Sequence, residues 1–255
     1  MIKLFVTDLD GCISHPFKTP KWETINKIRE LNLLSRTDET VPPLTICTGR
    51  PYPYAEAVAQ WLDVRLPFVF ESAALYIWEG NKIETALSSH DGALEPIRKM
   101  KQWIADELLE SFPTAQLEFT KMMDAGIVCP DKAVVKEMYP VMKKKVEADH
   151  PELEIHTTDV SVNILMPGNN KLQGMRLLAE KMGVELSEIA YIGDSGGDIP
   201  ALEKVKLPYS PSNATAAVKK VTRNLKVKTT DAVLEAYQEV VELNRESLAK
   251  SHRSR

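Results

Sequence analysis

The chain is poor in cysteine and histidine and has no long apolar run, and each shortage removes a class of protein. Its three cysteines, Cys12, Cys47 and Cys129, are odd in number and include no Cys-x-x-Cys pair. That excludes a disulfide framework and predicts a reducing, cytoplasmic compartment. The five histidines are scattered, and with these thiols they build no structural zinc site. No stretch approaches the roughly 18–20 consecutive apolar residues of a membrane helix, and Met1 to Val6 is too short for a signal-peptide core. An excess of charge of one sign is missing as well. Lys+Arg 32 against Asp+Glu 36 gives −4, so neither a membrane surface nor nucleic acid is an expected partner. What remains is ordinary globular usage, 44% hydrophobic and 27% charged over 255 residues, enough for one large domain or two unequal ones.

Ile2 to Thr7 is a short β-branched run that stops at Asp8-Leu9-Asp10-Gly11, the pattern of a buried strand ending in an acidic loop. A helical stripe from Trp22 to Leu34 follows. Leu44 to Cys47 then predicts a strand closed by Thr48-Gly49-Arg50, Tyr54 to Leu62 a helix, and Pro67 to Phe70 a third strand. Strands alternating with helices predict a parallel α/β sheet with its chemistry at the carboxyl ends of the strands.

The rhythm then changes. A helix from about Gly92 to Phe112, strands at Gln116 to Thr120 and Gly126 to Cys129, a helix from Pro130 to Asp149, and strands at Leu153 to Thr157 and Ser161 to Leu165 form an internal repeat. It predicts a small antiparallel sheet with two helices on one face. The α/β rhythm resumes with a helix at Lys171 to Met182, a strand at Ile189 to Ile192, and the loop Gly193-Asp194-Ser195-Gly196-Gly197-Asp198. Strands at Leu207 to Ser210 and Lys226 to Lys228, and a helix from Asp231 to Leu248, complete it. The fold class is therefore α/β, a Rossmann-like core of residues 1–81 and 164–255 with a smaller α+β insert at 82–163.

Asp8 and Asp10 stand two apart at a strand end, so an extended chain turns both carboxylates to one side. Asp194 and Asp198 also follow an apolar strand, which brings four acids to one crevice of a parallel sheet. Such mutual repulsion calls for a hard cation with oxygen ligands, and Mg²⁺ is expected rather than zinc. Thr48-Gly49-Arg50 lies between a strand and a helix, where a hydroxyl and main-chain amides can hold phosphate oxygens. Lys171 opens a helix and offers an ammonium. A carboxylate nucleophile, a second carboxylate, a hydroxyl and a lysine suit phosphoryl transfer through an aspartyl-phosphate.

In this order the motifs resemble the haloacid dehalogenase superfamily of phosphatases: Asp8-Leu9-Asp10-Gly11, Thr48-Gly49-Arg50, Lys171, then Gly193 to Asp198. The long interval between Thr48 and Lys171 places the insert where the sugar-phosphate phosphatase branch carries its cap, a branch that includes Cof-like and sucrose- and mannosyl-phosphoglycerate-phosphatase-like proteins. The resemblance implies that Asp8 attacks phosphorus and that Asp10 protonates the leaving oxygen and then activates water. Asp8, the Asp10 carbonyl and Asp194 would ligate Mg²⁺, with Asp198 an outer ligand or the orienter of Lys171. Thr48, Gly49, Lys171 and Asn213 would bind the phosphoryl group, and Arg50 would touch substrate or brace its loop by pairing with a carboxylate. Cys12 and Gly197 depart from the family pattern, which more often has threonine and asparagine or glutamate there. The function implied is hydrolysis of a small phosphorylated metabolite, a sugar phosphate or a short phosphorylated acid. A phosphosugar mutase and a non-catalytic phospholigand-binding module are the alternatives.

Overall fold

Buried strands and amphipathic helices follow one another along the chain. A computed structural model describes residues 1–15, 18–86, 94–158 and 160–253. The predicted helix start at Gly92 and the last two residues of the tail lie outside the described residues. The elements begin with β1 (Leu4–Thr7), α1 (Trp22–Leu34), β2 (Leu44–Ile46), α2 (Tyr52–Trp61), β3 (Phe68–Phe70), β4 (Ala74–Ile77) and β5 (Lys82–Thr85). Then come α3 (Glu95–Trp103), one π-helical stretch (Ile104–Leu108), α4 (Leu109–Ser111), β6 (Gln116–Leu117), β7 (Asp124–Val128), α5 (Lys132–Asp149), β8 (Glu154–Thr157) and β9 (Ser161–Leu165). The chain closes with α6 (Lys171–Met182), β10 (Ile189–Ile192), α7 (Ile199–Leu202), β11 (Leu207–Ser210), α8 (Ala216–Lys219), β12 (Arg223–Asn224) and α9 (Thr229–Arg253). Among the described residues no helix is long and apolar enough to cross a membrane.

The chain divides into two compact units, residues Met1–Ala86 with Asn170–Arg255, and Leu87–Asn169. In the first, a parallel sheet runs β12-β11-β10-β1-β2. β1 is buried at every residue because both faces are covered, which is why it reads as an unbroken apolar run. Leu4 and Val6 share a core with Leu178 of α6, whereas Phe5, pointing the other way, stacks on Tyr237 of α9 at 4.6 Å. Pairing in register sets Thr7 beside Ile192 and Ile46. The residues that follow these strands therefore emerge along one edge.

Three sequence expectations change here. β3 is not a full member of the parallel sheet. It touches it through one bridge, Cys47 to Val69, and instead leads an antiparallel sheet β3-β4-β5. Gly80 at φ +77° and Asn81 at φ +50° turn the chain tightly enough to return β5 onto β4. The last strand lies at Arg223–Asn224 rather than Lys226 to Lys228, since Tyr209 and Ser210 pair there. Because β5 pairs within the first unit, the unit boundaries fall at Leu87 and Asn169, not at 82 and 163.

The second unit is a four-stranded antiparallel sheet, β6-β7-β9-β8. Ala125 and Ile127 of β7 and Val162 and Ile164 of β9 share one sheet face. They pack with Ile97, Met100, Val135 and Met142 from α3 and α5 into a single core, so both helices cover that face.

Candidate functional site

β1 delivers Asp8 to the sheet edge, where the Asp8 amide continues the ladder by donating to the Ile192 carbonyl at 3.0 Å. The Asp8 side chain is buried. Its Oδ1 accepts from the Leu9 amide at 2.7 Å, and its Oδ2 faces Lys171 Nζ at 2.7 Å. Lys171 is the first residue of α6, held by Asn170, whose side chain accepts from the Gln173 amide. Its ammonium also reaches Asp198 Oδ1 at 2.5 Å.

Asp198 is wholly buried, and donors surround both of its oxygens. Oδ1 accepts from Lys171 and from the Tyr191 hydroxyl at 2.5 Å. Oδ2 accepts from the Asp194 amide, the Ser195 amide and Ser195 Oγ at 3.1, 2.9 and 3.0 Å. A carboxylate this fully used orients Lys171 and the glycine-rich loop. Two glycines make room for the cluster. A Cβ on Gly193 would lie 2.5 Å from Asp198 Cγ, and one on Gly11 would lie 2.0 Å from Asp194 Oδ2.

Ligand oxygens of Asp8, Asp194 and Asp198 all lie within 4.8 Å of one another. Three carboxylates facing one ammonium leave two negative charges uncompensated in a low-dielectric place. Burial pushes the Asp8 carboxyl up to about 8 and that of Asp194 up to about 6. Asp198 goes the other way although burial opposes it, because Lys171, Tyr191 and Ser195 together hold it ionised. The single lysine thus serves Asp198 first, and Asp8 keeps a proton while no further cation is present. An oxygen-only donor set short of two positive charges fits a hard divalent cation such as Mg²⁺.

Asp10 stands outside this cluster. Its carboxylate takes both prongs of the Arg50 guanidinium, Nε to Oδ2 at 2.6 Å and Nη2 to Oδ1 at 3.2 Å. Thr48 is buried, and its Oγ1 accepts from the Arg50 amide at 3.1 Å. The Thr48 amide donates to the Val69 carbonyl at 3.1 Å. Asn213 ties two segments together, Nδ2 donating to the Gly11 carbonyl at 2.9 Å and Oδ1 accepting from the Thr229 amide at 2.9 Å.

The structure adds residues that the sequence did not single out. Tyr191 reads as a core aromatic of a strand, and only the fold brings its hydroxyl to Asp198. Glu71 and Ser72 occupy left-handed backbone at φ +43° and +67° without a glycine. Their amides donate to the Arg50 and Thr48 carbonyls at 3.0 and 2.9 Å, which braces the threonine turn.

Fold and site define an α/β enzyme with a buried carboxylate–lysine cluster at the carboxyl ends of its strands. A family model described as haloacid dehalogenase-like hydrolase matches residues 79–236, more than half of the chain. The chain belongs to that family and is a phosphoric monoester hydrolase, as its relatives are phosphatases. It is 33% identical over 224 residues to a phosphoglycolate phosphatase of Thermoplasma volcanium, covering 87% of this chain and 90% of that one. Its fold is similar to a crystal structure from Thermoplasma acidophilum, with TM-score 0.72, 19% identity, and 94% and 98% of the two chains covered. It is also similar to the sucrose-phosphatase of Synechocystis sp. in complex with sucrose and phosphate, with TM-score 0.64, 18% identity, and 94% and 98% covered.

Proposed function

We propose that the chain is a Mg²⁺-dependent phosphatase for a small phosphorylated metabolite, working through a phospho-aspartate on Asp8. The observation that carries this reading is the buried triad of Asp8, Lys171 and Asp198 at the end of β1, with Asp194 within reach. Asp8 and Asp194, with the main-chain carbonyl of Asp10, would hold the cation. When bound, Mg²⁺ supplies the positive charge that lets a phosphoryl group approach these carboxylates. Asp8 attacks phosphorus, while Lys171 and the Thr48 turn hold the phosphoryl oxygens. Asp10 gives a proton to the departing oxygen and in the second step takes one from water. Asn213 keeps the Gly11 carbonyl, and with it the Asp8 to Gly11 turn, in place.

Relatives named phosphoglycolate phosphatase support a short phosphorylated acid as substrate, and the sucrose-phosphatase fold supports a sugar phosphate. The decisive experiment is hydrolysis of p-nitrophenyl phosphate with Mg²⁺ by the Asp8→Asn variant. We expect activity to vanish while the variant stays folded; retained turnover would remove Asp8 as nucleophile. Phosphoglycolate and a panel of sugar phosphates, compared by kcat/KM, then place the substrate class.

A further inference from the structure

We infer that Tyr54 and Ser14 are positioning residues for proton transfer, acting through Arg50 on the carboxyl of Asp10. This rests on the role proposed for Asp10. Four side chains form a closed ring. Asp10 accepts both prongs of Arg50, and Arg50 lies over the Tyr54 ring, 5.0 Å from its centroid. The Tyr54 hydroxyl meets Ser14 Oγ at 2.8 Å. Ser14 closes the ring through the main chain, because its amide donates to Leu9 at 2.9 Å, its carbonyl accepts from Gly11 at 2.7 Å, and it bridges to Asp10.

Each link restricts a different freedom. The two-pronged contact fixes the plane and direction of the Asp10 carboxyl, which a lone ammonium cannot do. The aromatic face holds the guanidinium from the side. The hydroxyl pair anchors that aromatic ring, carried on the first turns of α2, to the same turn that bears Asp10. Asp10 is about one-third exposed, with relative side-chain accessibility of 37%. Without the ring it would sample several rotamers, and proton transfer tolerates little misplacement.

Both steps use Asp10, and the first is the one in which its geometry can be read through the leaving group. As Asp8 forms its bond to phosphorus, the bond between phosphorus and the leaving oxygen breaks. The electron pair stays on that oxygen, which takes the proton that Asp10 received from water in the second step of the preceding turnover. A leaving group that is already a weak base needs the proton little, whereas a strongly basic one needs it fully. Misplacing Asp10 should therefore steepen the dependence of rate on leaving-group acidity, which a general loss of stability would not do.

The test is kcat/KM, which reports the first step because every substrate leaves the same phospho-aspartate, for a series of substituted phenyl phosphates from p-nitrophenyl to unsubstituted phenyl, with saturating Mg²⁺. For Tyr54→Leu we expect the phenyl-to-p-nitrophenyl ratio of kcat/KM to fall about tenfold against the parent. Tyr54→Phe and Ser14→Ala, which lose only the hydroxyl link, should fall between, and they carry the test if Tyr54→Leu fails to fold. Arg50→Lys should not restore the ratio. Asp10→Asn sets the limit of the effect. If the Asp10 variant shows no change in the ratio, the proton-transfer role of Asp10 itself is wrong. If it does while the Tyr54 and Ser14 variants keep the parent ratio, or lose both substrates equally, the positioning ring is refuted and the Asp10 role stands.

Discussion

Gly11 shows how much of the site depends on a missing methyl group. Its φ is +72°, a region costly for other residues, and a Cβ would fall 2.0 Å from Asp194 Oδ2. Gly11→Ala should therefore cost about 1–3 kcal/mol in backbone strain and push the Asp194 carboxylate out of the cluster. We expect the Mg²⁺ concentration for half-maximal activity to rise at least about tenfold, roughly 1.4 kcal/mol of lost cation binding. A direct calorimetric titration with Mg²⁺ checks this, and unchanged affinity would mean that Asp194 does not contact the cation. The carboxylates and Lys171 were legible in the sequence through their joint order and spacing at strand ends and a helix start, since each alone reads as a turn, a cap or a solvated helix residue. Tyr191 was not, since an aromatic in a strand looks the same whether its hydroxyl is idle or bonded to Asp198. Glu71 and Ser72 were equally hidden, because left-handed backbone is signalled by glycine and they carry none.

At the scale of elements, α6 both presents Lys171 and packs on the turn after β3. Gly174 lies at that contact, and a Cβ there would stand 2.3 Å from the Ser72 carbonyl and 2.5 Å from Val69. Helix propensity alone makes Gly→Ala favourable by about 1 kcal/mol. The clash is with main chain, which cannot swing aside, so overpacking of about 1–3 kcal/mol should win. Gly174→Ala is expected to lower the urea midpoint and, by moving Ser72 and with it the Thr48 turn, to reduce kcat. A higher midpoint would show that propensity dominates. Helices such as α1 and α6 could be placed to the residue because the apolar stripe of the first and the Asn170 and Gly183 caps of the second are local signals. The β3-β4-β5 sheet could not, because a three-residue strand carries no record of its partner, and the left-handed turn at Glu71 and Ser72 that returns β4 onto β3 has no glycine to announce it. Lys226 to Lys228 failed as a strand for a related reason: alternation was present, but the ladder of Tyr209 and Ser210 had already been met by Arg223 and Asn224.

Across the whole molecule a net charge of −4 conceals the concentration of acid at one sheet edge, and that concentration couples stability to pH. Folding raises the Asp8 carboxyl from an ordinary 3.8 to about 8 and that of Asp194 to about 6, both through burial. A carboxyl that binds its proton more tightly when folded stabilises the fold fully below its unfolded value and loses that contribution as pH climbs through the folded one. Asp198, held below its ordinary value, has the opposite sign, but its contribution is lost only on acidification below the ordinary carboxylate range. Between about pH 5 and pH 8 the first two groups therefore govern, and the cation-free protein should melt several degrees lower at the upper end. Mg²⁺ should reverse the trend, since its ligands must be deprotonated and it competes with protons at pH 5 far more than at pH 8. Thermal melts at both pH values, with and without Mg²⁺, should show a larger cation-induced rise at pH 8. Asp8→Asn, which has no proton to lose, should flatten the cation-free slope. Equal Mg²⁺ shifts at the two pH values, or an unchanged slope in Asp8→Asn, would mean that the charge imbalance at this edge is not what the cation relieves.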